Sequence, residues 1–412
     1  MSAPPQTAPA PAGYGRVLAV PEFRAVFAAH VLSMLGVIVS EIALSVLVYD
    51  LTRSPLLSAL TFALGFLPYA VGGTLLAPVA DRFPARRVLV VCDLVCAGCV
   101  ALMTVPGTGT GVLLALRCAL AVVSPVFAGT RMATLADVLG GGDLFVLGRS
   151  LLRIVAQSAL LVGYGLGGLL LTVLTPRHAL LITVAGFLGS ATLLRCGTRR
   201  RPARTRDRAD APAGLRGLAT DRRIRVLLLV FWLPAAFSVV PEALAAPYAD
   251  ALGSGSAGLG LLMCALPVGT VAGELFAGAR LTPAHRERVA LPLLCLTLLP
   301  YLGFALRPGL VVSLLLLLVS GAGSAYTLGL DQWFVRAVPD ERRGRAMTVL
   351  SAGLMTVQGV GMALAGVAAQ AVGVRAAVTG AGSLGVLCCC GLALAVRATE
   401  DRDGAARDMT GR

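Results

Sequence analysis

The chain has 412 residues, of which 57% are hydrophobic and only 14% charged. Soluble domains carry about 25% charged residues, so an ordinary water-soluble fold is excluded and a membrane is indicated. The net charge is +14 and all 35 basic residues are arginine. They are dispersed over loops without a recognition motif, which argues against nucleic-acid binding.

Residues 1–20 read as a polar, Pro/Ala-rich tail with no apolar signal-peptide core before Arg16, so the first helix is expected to direct insertion itself. Runs long enough to cross a bilayer, roughly 20 residues each, then follow. In the first half (21–195) they are Phe23–Tyr49, Leu56–Ala80, Val88–Val105, Gly111–Thr130, Ser150–Leu174 and Ala179–Leu194. In the second half (226–397) they are Val226–Tyr248, Ala257–Ala279, Val289–Leu306, Leu310–Leu330, Ala346–Val372 and Ala376–Val396. Cys196–Arg225 has no apolar run and reads as a basic linker with a surface helix near Arg216–Arg225, and residues 398–412 as a polar tail. The pattern predicts an all-α membrane protein of twelve transmembrane helices in two pseudo-symmetric six-helix halves.

The halves behave as an internal repeat. The turn Asp81–Arg87 after the second run is echoed by Arg280–Arg288 after the eighth, about 199 residues on, with a shared proline and arginines. The loop Arg131–Arg149 has its counterpart in Arg336–Arg345. A repeat of matching charged loops favours a carrier over a membrane enzyme or a receptor.

The turn Val79-Ala80-Asp81-Arg82-Phe83-Pro84-Ala85-Arg86-Arg87 joins two spanning runs. Its order, Asp-Arg-x-x-x-Arg-Arg, resembles the loop 2–3 signature of the major facilitator superfamily. Glu22-Phe23-Arg24, Leu32-Ser33-x-x-Gly36 and Val48-Tyr49-Asp50-Leu51-Thr52-x-Ser54-Pro55 resemble the first helix of one branch, which includes enterobactin exporters and macrolide or tetracycline efflux permeases. Pro339-Asp340-Glu341-Arg342-Arg343-Gly344-Arg345 resembles loop 10–11 of that branch. Gly163, Gly165, Gly167 and Gly168 resemble the fifth-helix motif of antiporters, with Tyr164 where that motif has proline. These glycines serve either helix packing or antiport. Arg117 stands where the superfamily has a fourth-helix arginine. The resemblance implies a secondary transporter, with proton-coupled efflux of a small amphipathic drug or natural product as the leading expectation. A metabolite-specific carrier or an uptake symporter is the alternative. Asp81, Arg82, Arg86 and Arg87 are expected to form a gating latch, with Asp137 as partner of Arg82 or Arg86.

Carboxylates within a membrane are costly and mark function by default. Glu41 lies inside the first run and Glu242 inside the seventh, 201 residues apart. That offset matches the repeat, so both can face one central cavity as proton or substrate sites. A buried carboxylate that water reaches can exchange protons near neutral pH. Arg117, the one arginine inside a span, either pairs with a carboxylate or snorkels outward. Asp93, Glu274 and Asp331 lie nearer the ends of spans and are expected to partner loop arginines. His30 is expected to pack in the first helix, with a proton relay as the alternative.

Other chemistries find little support. A standard P-loop needs lysine, which is absent. Cysteines in or beside spans, without clustered histidines, suggest neither metal site nor disulfide framework. No cofactor is expected. The expected partners are a small-molecule substrate, protons and the lipid bilayer, with the chain acting as a monomer.

Charge sets orientation. If the N-terminus is intracellular, Arg53, Arg177, Arg307 and Arg375 fall outside and Arg117 within a span, leaving thirty of 35 arginines on the cytoplasmic side. This positive-inside bias predicts a multi-pass protein of the bacterial cytoplasmic membrane with both termini and the central linker in the cytoplasm. Reporter fusions at Arg204 and at Arg412 should therefore be active only as cytoplasmic reporters. Periplasmic activity at either position would reverse the orientation.

Overall fold

A bilayer offers no hydrogen bonds to a spanning backbone, and a helix satisfies its groups internally. The computed structural model describes residues 14–75, 82–140, 143–201, 222–338 and 340–410, and among these it is helical nearly throughout. After a short helix at Tyr14–Leu18, the first half contains α1 (Pro21–Thr52), α2 (Pro55–Leu75), α3 (Ala85–Met103), α4 (Thr110–Leu139), α5 (Asp143–Val173) and α6 (Pro176–Gly197). The second half begins with α7, built in three pieces: Arg222–Ser238, Val240–Ala243 and Ala245–Ala251. It continues with α8 (Gly255–Arg280), α9 (Pro283–Leu298, ending in a 3-10 stretch to Leu306), α10 (Leu310–Gly323 and Tyr326–Ala337), α11 (Asp340–Val372) and α12 (Val374–Thr410). Among the described residues, nine spans are long and apolar enough to cross a membrane, and Pro55–Tyr69 and Ser158–Val173 are shorter apolar stretches.

Local chemistry sets the ends. Proline occupies the first turn of α1, α6 and α9, where its missing N–H costs nothing. Thr175 and Thr282 cap α6 and α9 alike, each accepting a hydrogen bond from the backbone N–H three residues on, at 3.4 Å. Arg53 closes α1 in the left-handed conformation (φ 51°), its N–H donating to the Tyr49 carbonyl at 2.7 Å. A single residue, Gly373, turns α11 into α12 at φ +86°, a conformation that favours glycine.

Several helices run beyond the apolar segments that predict them. Arg131 to Leu139, expected as loop, is the last part of α4. The motif at Pro339–Arg345 lies mostly in the first turns of α11, which begins at Asp340. Helix α12 continues to Thr410, α6 reaches Gly197 and α7 begins at Arg222. The reason is common to all. Hydropathy marks where a helix leaves the hydrocarbon, whereas glycine, proline and capping residues mark where it ends.

Packing carries the same repeat. In α2, a Cβ on Gly72 would strike the backbone of Val122 on α4; in α8, a Cβ on Gly273 would strike that of Ala322 on α10. The offsets are 201 and 200 residues, so one glycine-mediated helix contact occurs once per half.

Between the halves, α2 packs on α11 and α5 on α8. A Cβ on Gly366 of α11 would sit 2.9 Å from the Ala59 Cβ on α2. Gly168 of α5 lies directly on Gly260 of α8, backbone to backbone. Tyr49 donates to Asp250 at 3.2 Å, Arg53 stands 3.7 Å from Asp250, and Ser54 donates to Gln370 at 2.9 Å. An even number of crossings puts both ends of each half on one face of the bundle, the terminal face. All these contacts lie between mid-bundle and the opposite, far face.

No rotamer of a larger side chain fits at Gly168 without moving α5 from α8. Gly168→Val should cost about 1–3 kcal/mol by overpacking, read as a lower unfolding midpoint in detergent, and should impair transport. Unchanged stability and transport would mean that the two helices do not depend on this approach.

Candidate functional site

Two intramembrane carboxylates anchor the site, one in each half. Glu41 of α1 forms an ion pair with Arg117 of α4. The pair is largely shielded, with side-chain exposures of 15% and 5%. Arg117 uses its Nε to donate to the Thr61 carbonyl of α2 at 3.1 Å, so the guanidinium ties three helices together. Gly65 of α2 makes the room: a Cβ there would strike the Arg117 guanidinium and lie 3.1 Å from Glu41 Oε1.

Glu242 sits differently. Helix α7 is broken on both sides of its short middle piece, where Pro241 immediately precedes Glu242. The break frees backbone groups, and Tyr301 donates to the Ser238 carbonyl at 2.8 Å, restoring a partner as membrane helices require. The Glu242 carboxylate accepts a hydrogen bond from Tyr164 of α5, in the other half. Both groups line a cavity of about 130 Å³ between α5, α7, α8 and α10. Apart from Glu242, Tyr164 and Thr270, its walls are apolar.

The repeat makes the two carboxylates comparable. The α2–α4 and α8–α10 contacts align Arg117 with Leu317 at an offset of 200, and Gly65 with Leu266 at 201. Leu317 and Leu266 both line the Glu242 cavity. In one half, then, an arginine fills the space beside the glutamate. In the other, leucines stand in the corresponding places and a cavity remains.

The remaining expected site residues disperse. Asp81 lies outside the described residues. Arg82 is exposed, Arg86 donates to the Arg195 carbonyl, and Arg87 stacks over Phe83 at 5.7 Å. Asp137 acts electrostatically on Arg201. Gly163 and Gly167 face α1: a Cβ on either would come within 2.7 or 2.8 Å of Ile38 or Ile42. A Cβ on Gly165 would meet Cys264 of α8 at an ordinary 3.7 Å.

Asp93, expected near a span end, and Arg131, expected in a loop, are both buried. Asp93 of α3 is 1% exposed and accepts from Ser190 of α6 at 2.6 Å. Arg131 of α4 is 8% exposed, hydrogen-bonded to His30 of α1, with its guanidinium 4.0 Å from the Phe127 ring centre. Arg117 is therefore not the one buried arginine. The signal was present in the sequence: after Arg131 the apolar pattern continues, and no helix breaker occurs before Gly140-Gly141-Gly142. No group of His, Cys, Asp and Glu suited to a metal occurs among the described residues.

Leaving one member of a buried ion pair alone is costly. Arg117→Met should destabilise the protein by about 3–5 kcal/mol, and adding Glu41→Met should recover most of that loss. Unfolding midpoints of the single and double variants in detergent provide the check. A double variant no more stable than Arg117→Met would assign the loss to something other than the stranded carboxylate.

The sequence profile of the Major Facilitator Superfamily matches residues 26–243 and again 226–410. No curated protein matches the chain. Among solved structures it is similar to a POT family transporter in complex with a thioalcohol-conjugated peptide (8% identity, 92% of this chain, 98% of that one, TM-score 0.71). It is also similar to a bacterial homologue of the human lysosomal transporter Spinster in an inward-facing, unoccupied conformation (15% identity, 92% and 97%, TM-score 0.69). A bacterial homologue of the iron transporter ferroportin in an inward-facing state matches as well (16% identity, 90% and 98%, TM-score 0.64).

Proposed function

The chain belongs to the major facilitator superfamily, and from that premise we propose that it exports a small amphipathic compound in exchange for protons, with Glu242 as the group that changes charge. Membership makes it a multi-pass membrane protein and a secondary transporter. The observation that carries the finer reading is the unequal treatment of the two carboxylates. Glu41 already has a countercharge in Arg117. Glu242 has a neutral phenol for a partner and stands in a cavity with mainly apolar walls.

A carboxylate removed from water needs a compensating positive charge. A proton and a cationic substrate both satisfy that need, and they compete for one site. Competition of this kind is the elementary requirement of antiport: loading of one species favours release of the other. The apolar lining suits the hydrophobic part of an amphipathic compound. Glu41 and Arg117 act as the fixed partner, holding α1, α2 and α4 as a unit.

The glycines at 163, 165, 167 and 168 support rocking of one half on the other by keeping α5 close to α1 and α8. The latch reading of Asp81, Arg82, Arg86 and Arg87 complements it on the terminal face. With cytoplasmic termini, the cross-half contacts at the far face correspond to a carrier closed outward, in the membrane of a bacterial cell.

Transport measured in proteoliposomes with an imposed pH gradient tests the role of Glu242. Glu242→Gln should abolish gradient-driven transport and leave the folded protein intact, because the tyrosine bond survives the change. Tyr164→Phe should retain gradient-driven transport at a reduced rate. Normal proton-driven transport by Glu242→Gln would exclude Glu242 as the coupling group.

A further inference from the structure

A second charged feature lies far from the carboxylates, between α3 and α6 at the terminal face. A groove of about 490 Å³ is bounded there by Arg86, Arg87, Arg195, Arg200 and Arg201. Its remaining wall is Pro84 together with Val90, Val91 and Leu94 on the flank of α3 that looks outward; Val91 and Leu94 are 48% and 49% exposed. Basic side chains at the membrane boundary thus meet an apolar strip that descends about 10 Å into the hydrocarbon, from Arg87 to Leu94 at 1.5 Å per residue.

Among the described residues, neutralisation within the groove is incomplete. Glu22 takes up Arg201 through two hydrogen bonds of 2.6 and 2.9 Å, and these bonds hold the Arg201 guanidinium above its usual pKa. Glu22 also accepts the Arg199 N–H at 2.8 Å. Arg86 is engaged with the neutral carbonyl of Arg195 and Arg87 with the Phe83 ring. Among the described residues, five arginines and no carboxylate line the groove.

We propose that this groove binds one anionic phospholipid of the leaflet at the terminal face. Its phosphate sits among Arg86, Arg195 and Arg200, and an acyl chain lies along Val91 and Leu94. The geometry distinguishes a lipid from a soluble anion, because a phosphate alone leaves the apolar strip bare. It also distinguishes a bound lipid from diffuse surface attraction, which acts at about 1 kcal/mol per arginine anywhere on the basic face. The guanidinium fork suits phosphate oxygens in a way that one ammonium does not. Because α3 and α6 both belong to the first half, the lipid fastens that half to one leaflet. The site is independent of the coupling role proposed for Glu242.

Native mass spectrometry of the full chain in detergent tests this, with equimolar phosphatidylglycerol and phosphatidylcholine of the same chain length. The protein should retain one phosphatidylglycerol preferentially. Arg195→Gln/Arg200→Gln should weaken that retention about tenfold or more. Arg280→Gln, on the same face but outside the groove, should not change it. Equal retention of phosphatidylcholine overturns the proposal, as does an equal loss in Arg280→Gln. Displacement of the lipid by millimolar glycerol phosphate overturns the lipid assignment in favour of a soluble anion, and this competition needs only the unaltered protein.

Discussion

Taking a charge out of water costs several kcal/mol even after the protein relaxes around it, and the arrangement of this bundle answers to that cost. The Glu41–Arg117 pair draws α1, α2 and α4 together, and the position of Gly65 follows from it, because any side chain there would occupy the guanidinium's place. The second half keeps the carboxylate and omits the cation. Leu317 and Leu266 stand where the repeat would put Arg117 and Gly65, and Glu242 turns to Tyr164 across the boundary between the halves. One duplicated framework therefore contains one carboxylate paired with a cation and one bonded to a neutral phenol.

The second constraint is steric. Lipid tails are as apolar as leucine, so helices in a membrane associate through close packing more than through escape from solvent. Glycines sit where that approach is tightest. Gly72 and Gly273 fix the same contact within each half, whereas Gly168 and Gly366 fix contacts between halves. The exposed Arg53–Asp250 pair adds little by comparison, as surface ion pairs generally do. Backbone contacts of this kind leave small room for gradual deformation. They suit halves that move as bodies and part along a few lines.

Much of this is legible in the sequence. Hydropathy gave the spans because the bilayer imposes one length on all of them. The 201-residue offset of Glu41 and Glu242 equals the offset that glycine packing gives for α2 and α8. The limits are equally physical. In the sequence Tyr164 is only a departure from a glycine motif; its meeting with Glu242 joins different halves and leaves no local pattern. In the sequence Arg131 resembles a loop residue because a charge looks like the end of a span, yet it is buried against His30 and Phe127. The loss of cation at Leu317 becomes visible only when packing contacts, rather than charged loops, align the halves. Asp81, prominent in the sequence, stands outside the described residues.

The absence of lysine has a consequence for how this protein senses its surroundings. Guanidinium groups stay charged at any pH a cell meets, and the thirty-five arginines supply every basic charge other than that of the histidines and the chain terminus. The positive surface facing one leaflet is therefore constant, a fixed background rather than a variable. Acidification of a compartment is registered by 21 carboxylates and three histidines, few of which lie within the bundle. Any change of charge in this protein between mildly acidic and neutral pH therefore falls to carboxylates and histidines, against a background of arginine charge that does not vary.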